Sequence, residues 1–87
     1  MELQQQFEAA AARSKELTKR PSNEELLQLY ALYKQGSEGD VNEDRPGGFD
    51  FKAIAKHDAW AELKGKSKEV AMQEYIDFMD KLYQQYA

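Results

Sequence analysis

Cysteine is absent from this chain of 87 residues. That excludes a disulfide scaffold, a thiol nucleophile, a cysteine zinc site and an iron–sulfur cluster. It is compatible with a reducing compartment. A single histidine, His57, cannot build a histidine-rich metal site, and no metal or cofactor is expected. No P-loop and no GxGxxG motif occurs. β-branched residues are few and no apolar/polar alternation persists, so strands are not expected. Positive charge is outnumbered: 12 Lys and Arg against 16 Asp and Glu leave a net charge of −4, which argues against nucleic acid as a partner. No apolar run is long enough to span a bilayer. The start, MELQQQFEAAA, lacks the basic and apolar regions of a signal peptide. The expectation is a cytoplasmic protein without stable membrane insertion. Its length suits one domain over residues 1–87, and nothing in it demands more than a monomer.

What remains is rich in helix formers, with 41% hydrophobic and 32% charged residues. Prolines 21 and 46 and the glycines divide the chain into four segments, each with a helical period. The first runs from about Leu3 to Leu17, with Leu3, Phe7, Ala10, Ser14 and Leu17 on one face. Pro21 ends it, because the residue before a proline is pushed out of the helical region. The second begins at Ser22, which can cap, with Glu25 three residues on to complete a capping box. It carries a stripe of Leu26, Leu29, Tyr30 and Tyr33 and is expected to reach about Gly36. The turn-rich connection SEGDVNEDRPGG follows; its length excludes a simple up-down-up-down bundle. The third segment spans about Asp50 to Leu63. Phe51, Ile54, Ala55, Asp58, Ala59 and Leu63 trace its expected main face, while Lys52, Lys56 and Trp60 recur at spacings of four. The fourth runs from Ser67 onward. Its two adjacent stripes, Ala71-Tyr75-Phe78-Leu82-Tyr86 and Met72-Ile76-Met79-Tyr83, suggest one helix packed on two neighbours. The fold expected is an all-α, four-helix domain.

Catalysis finds little support. His57 has no motif around it, and the serines stand in helix or cap contexts, so no catalytic residue is assigned. Asp58 and Glu62 at i, i+4 read as a solvated charged face. Asp40, Glu43 and Asp44 lack the EF-hand spacing and read as a polar loop. The informative pattern is tyrosine beside lysine. Tyr30, Tyr33 and Lys34 fall within one turn of the second segment and can point toward one edge. Lys52 and Lys56 repeat the device on the third segment, and Tyr75 adds an aromatic from the fourth. Flat rings stack on a base, phenols donate to anions and ammonium groups pair with phosphate. Spacing alone also describes core tyrosines with wet hydroxyls and solvated lysines, and favours that reading over a ligand site.

Three stretches carry a resemblance: LYALYKQ; GD-x-N followed by RPG; and KHDAWAELKGKSKEVAMQEYI. Together they resemble the acyl-CoA-binding protein family, from about Phe7 to the C-terminus. The resemblance implies an up-down-down-up four-helix bundle that binds long-chain acyl-CoA thioesters without altering them. It makes Tyr30, Tyr33 and Lys34 head-group anchors. Lys56 would complete the phosphate site and Tyr75 would close over the nucleotide. Lys15 and Lys52 match further ligand-facing positions. Leu26, Leu27 and Ala55 match positions near the acyl chain. The chain departs from its relatives at Gly48–Phe49, where they commonly carry two bulky apolar residues, and at His57, where they often carry tryptophan.

The residues support such a ligand. Coenzyme A carries three phosphates, so a net-acidic protein needs a local basic cluster. Arg13, Lys15, Lys19 and Arg20 against Glu16 make one; Lys34, Lys52 and Lys56 can make another. Each charge-assisted hydrogen bond contributes about 1.5–3 kcal/mol. A sheltered 16-carbon tail adds on the order of 10 kcal/mol before ordering costs. Head-group contacts would then set ligand class and the tail would set affinity. The expected role is a non-catalytic carrier and pool former for medium- to long-chain acyl-CoA, delivering to acyl-CoA-using enzymes. The alternative is a helical protein–protein interaction domain whose stripes dock a partner helix.

Overall fold

The computed structural model describes residues 2–86. Among them, four α-helices and no strand form: α1 (Leu3–Arg13), α2 (Asn23–Glu38), α3 (Phe51–Ala61) and α4 (Lys68–Tyr86). The local signals act where the chain places them. The Ser22 side chain accepts the Glu25 N–H at 3.1 Å and the Glu25 carboxylate accepts the Ser22 N–H at 2.9 Å, closing the capping box of α2. Asp50 accepts the Ala53 N–H at 3.1 Å and starts α3. The Ser67 hydroxyl accepts the Val70 N–H at 3.2 Å ahead of α4.

Two boundaries differ from the periodicity, each for a physical reason. The first helix stops at Arg13, and Ser14–Glu16 wind into a single 3₁₀ turn. The Ser14 hydroxyl donates to the Ala11 carbonyl at 2.6 Å, competing with the helical ladder. Gly36 does not stop α2. A Cβ there would sit 3.1 Å from the Phe7 ring and 3.2 Å from Met72, so this glycine lets α1 and α4 approach the α2 backbone. Gly39, with φ +83°, ends the helix instead.

Side-chain pairs along the helices give their directions. Arg13 reaches Asp80 at 2.6 Å, and Thr18 donates to the Tyr86 carbonyl, so α1 and α4 ascend together. Gly36 lies by Met72 and Glu25 meets Tyr86, so α2 runs against α4. Lys56 lies over Tyr30 and the Trp60 indole donates to the Gly39 carbonyl, so α3 runs with α2. The order is up-down-down-up. Parallel neighbours need a connection that returns along the whole helix, which is why the α2–α3 link is long.

The core joins Phe7 and Ala10 of α1 and Leu29 and Leu32 of α2 to Met72, Tyr75, Met79 and Leu82 of α4. The fourth helix packs on both α1 and α2, as its two stripes require. Helix α3 corrects its expected face. Phe51 is 70% exposed, whereas Trp60, in line with Lys52 and Lys56, is 1% exposed. The long connection pins α3. Arg45 makes a bidentate contact with Asp58 at 2.9 and 3.1 Å, and His57 Nε2–H donates to the Glu43 carbonyl at 2.9 Å. Asp40 accepts from the Gln35 amide at 2.9 Å and from the Gly65 N–H at 2.8 Å. Gln35, fully buried, also donates to the Lys66 carbonyl at 2.7 Å, joining α2 to both connections. His57 is thus a packing residue that holds the loop. Asp58 is exposed as expected, but paired.

Candidate functional site

A cleft lies along parallel α2 and α3 and is lined also by the last turn of α1 and the segment that follows it. Its volume is about 940 Å³, toward the upper end of the range for small-molecule sites. The apolar wall comes from Leu26, Leu27 and Leu29 of α2, Ala55 of α3, and Ala11 and Ala12 of α1. Three phenols line it: Tyr30 and Tyr33 from α2 and Tyr75 from α4. Four cations complete it: Lys15 and Arg20 from the α1–α2 connection, Lys52 and Lys56 from α3. Ser14 and Asn23 are its other polar members.

The charge is one-sided. Among the described residues no carboxylate lines the cleft, although the chain carries a net charge of −4. Among the described residues, none of the four cations has a carboxylate within ion-pair distance. Low-dielectric walls bearing one sign of charge focus the field and favour an anion. The Lys56 ammonium lies 5.2 Å above the Tyr30 ring, a cation–π contact that steers it along the wall.

The phenols are held from behind. Phe7 stacks on Tyr33 with centroids 5.4 Å apart and meets Tyr75 edge-on at 5.2 Å; Tyr33 and Tyr75 stand 5.9 Å apart. Tyr33 stays 42% exposed, so one ring face is presented while the other packs. Tyr75 is 4% exposed. Burial, with a lesser contribution from Tyr33, pushes its phenol up to about 12, which keeps the proton on the hydroxyl as a donor.

Nine of the ten residues singled out from the sequence line this one cleft: Lys15, Leu26, Leu27, Tyr30, Tyr33, Lys52, Ala55, Lys56 and Tyr75. Lys34 does not. Its ammonium is held by Glu38, lies 3.9 Å from Glu43 and sits 4.9 Å over the Trp60 ring. The Glu38 hydrogen bond raises its pKa. Helical spacing puts the Cβ atoms of Tyr30 and Lys34 on one stripe, but a flexible stem lets the ammonium swing to a carboxylate one turn further on. Ser14 and Asn23 of the lining carry no signal in the sequence that marks them for the site. Arg20 stood in the noted basic stretch; the turn after α1 decides that it and Lys15 face the cleft.

The chain is similar to known proteins over almost its whole length. A family model described as "Acyl CoA binding protein" matches residues 4–79. The acyl-CoA-binding protein homolog of Drosophila melanogaster is 55% identical over 83 residues, which are 95% of this chain and 96% of that one. The chain belongs to the acyl-CoA-binding protein family. The yeast acyl-CoA-binding protein, from Saccharomyces cerevisiae, is 48% identical over 95% of each chain. The crystal structure of Oryza sativa acyl-CoA-binding protein 2 matches with a TM-score of 0.91 at 45% identity, covering 97% of this chain and 93% of that one. Within this acyl-CoA-binding protein fold, Gly48 lies on the long connection and His57 is its anchor on α3. Gly48 adopts φ +72°, and His57 fastens the connection through Glu43.

Proposed function

We propose that this chain binds medium- to long-chain acyl-CoA thioesters without altering them and serves as their intracellular carrier and pool former. The observation that carries the reading is a cleft with four cations, no carboxylate and a continuous apolar wall. Lys15, Arg20, Lys52 and Lys56 supply charge for the three phosphates of coenzyme A. The ring faces of Tyr30 and Tyr33 offer stacking surface to the adenine, and the Tyr75 hydroxyl offers a donor. Leu26, Leu27 and Ala55 shelter the first part of the tail. Neither half of the ligand suffices: free coenzyme A lacks the apolar payload and a free fatty acid lacks the phosphates.

The chemistry of the lining supports binding over catalysis. It holds no histidine, carboxylate or thiol to act as base or nucleophile toward the thioester. Sequestration of the tail in a monomer would keep the thioester intact for acyl-CoA-using enzymes in the cytoplasm. Calorimetric titration with acyl-CoA of graded chain length tests the reading. Affinity should rise with tail length, while free coenzyme A and free fatty acid bind weakly. Equal binding of a free fatty acid and its coenzyme A ester would overturn it. Prolonged incubation with palmitoyl-CoA should release no free thiol.

A further inference from the structure

A second hollow, of about 490 Å³, opens on the far side of the α2–α3 seam from the cleft, between α2, α3 and α4. Its floor is apolar: Leu27, Ala31 and Leu32 from α2, and Ala55, Ala59 and Leu63 from α3. Leu27 and Ala55 also line the cleft; the other four belong to this hollow alone. Leu27 and Ala31 on one wall, and Ala55, Ala59 and Leu63 on the other, recur every fourth residue. The floor is therefore a straight trough between two parallel helices. From Ala55 to Leu63 it runs about 12 Å, or about two turns. Ala31, Ala55 and Ala59 project only a methyl group into it, so another helix can lie close.

The rim carries Glu24, Asp58, Glu62 and Glu74. Asp58 is tied to Arg45, and Glu74 to Lys66, the one cation of the lining. Glu24 and Glu62 are exposed and pair with no cation among the described residues. Glu24 stands in the first turn of α2 and Glu62 at the C-terminal cap of α3. The two helices run in the same direction, so these free carboxylates bracket the trough at opposite ends. An apolar floor is satisfied by an apolar occupant, and carboxylates beyond its ends favour cations there. A hydrated polycation alone leaves the floor wet, and the rim repels polyanions and anionic bilayers. A second copy of this chain offers no matching face. Among the described residues its exposed large apolar side chains, Tyr33, Phe49, Phe51 and Val70, stand on different elements and form no stripe. The complement is an amphipathic helix with apolar residues at i, i+4 and i+7 and lysine or arginine beyond each end of that stripe.

We propose that this trough, on the face opposite the cleft, is a docking groove for a basic amphipathic helix of a partner protein. The contact does not rest on the acyl-CoA reading and is measured without acyl-CoA. Opposite charges at the two ends set the position of the helix, and its apolar stripe fills the floor.

The probe is a synthetic helix of about 16 residues with leucines at i, i+4 and i+7 and lysines beyond each end of the stripe. Titrated into the isotope-labelled, ligand-free full chain, it should shift the amide signals of Gln28, Ala31, Ala59 and Leu63 and leave those of Lys15, Arg20 and Lys52 in place. Glu24→Lys/Glu62→Lys should weaken binding about tenfold or more. Glu8→Lys/Glu69→Lys makes the same change of net charge away from the trough and should weaken it by less than about threefold. All four side chains are exposed, so both variants should keep the helical circular dichroism of the parent. Ala59→Leu fills the floor and should also weaken binding; should that variant fail to fold, the charge reversals still decide. A peptide with serines in place of its leucines should bind about tenfold more weakly. Absence of any shift, shifts confined to the cleft, equal weakening by the two charge reversals, or equal binding of the serine peptide would overturn the proposal. A dimer of the free chain in sedimentation velocity that Ala59→Leu dissolves would assign the trough to a second copy and overturn it too.

Discussion

Two hollows flank the seam between α2 and α3, and they share Leu27 and Ala55 as a common wall. One is the cleft described above, with four cations and no carboxylate. The other, about 490 Å³ between α2, α3 and α4, carries Glu24, Asp58, Glu62 and Glu74. Its one cation, Lys66, is paired with Glu74. The apolar walls are alike and the rims are opposite in sign. Apolar surface does not choose between an acyl-CoA and any other greasy molecule. The charged rim does, by excluding polyanions from one side and drawing them to the other.

Removing the shared wall's support should have the largest effect. Trp60 anchors α3 to α2 through packing and its bond to Gly39, so Trp60→Ala should cost about 3–5 kcal/mol of stability in urea unfolding. That is a large fraction of what a domain of this size possesses. Lys56→Glu should then weaken acyl-CoA binding by about 100-fold in calorimetry, while Glu62→Lys in the opposite hollow changes it by less than about threefold. Equal effects would show that the rims do not select the ligand.

The hollows should also fail at opposite ends of the pH scale. Tyr75 has a raised folded pKa, so its contribution is whole below 10 and is lost as pH rises toward about 12. Urea midpoints should fall across that window by about 2–3 kcal/mol of stability, and Tyr75→Phe should remove most of the slope. Lys34, raised by Glu38, adds in the same sense. Freeing that lysine is a smaller change: Glu38→Gln should strengthen acyl-CoA binding a few-fold, about 0.5–1 kcal/mol, if the ammonium then turns to the cleft, and calorimetry on the pair Glu38→Gln and Lys34→Ala resolves it. The acidic side responds least. Arg45 holds the Asp58 carboxyl below its usual 3.8, so that pairing is intact above this value and lost as pH falls through the lower folded one. Asp58→Asn should flatten acid unfolding monitored by circular dichroism only slightly, because the pair is exposed.

Much of this was legible residue by residue. The cap at Ser22, the start at Asp50 and the double stripe of α4 each follow from neighbours within a turn or two, whereas the first helix stops at Arg13, well before Pro21. So does the alignment of Tyr30 with Tyr33 and of Lys52 with Lys56, and these reach the cleft as the spacing implies. Other positions escape periodicity because a turn, a close approach or a flexible side chain decides where they end up. Phe51 has the periodicity of a buried residue, yet the turn at Asp50 lifts it into solvent. Gly36 looks like a helix end but serves a close approach of Phe7 and Met72. Lys34 has the spacing of a cleft residue, yet Glu38 and Glu43 claim its ammonium.

The linear order of residues by itself determined four helices, their caps, the absence of sulfur chemistry and a set of phenols and lysines at helical intervals, because those depend on contacts a few residues apart. Only the tertiary structure decided that Lys15 and Arg20 join Lys52 and Lys56 around one cavity free of carboxylates. It also sent Asp58, Glu62 and Glu74 to the far side of the same wall and left two phenylalanines standing in water. Those outcomes turn on how α3 is pinned by the long connection, through Asp40, Arg45, His57 and Trp60. Long-range pairing of that kind leaves no periodic trace in the chain, since each bond joins residues whose separation is set by the path of the backbone and not by the pitch of a helix.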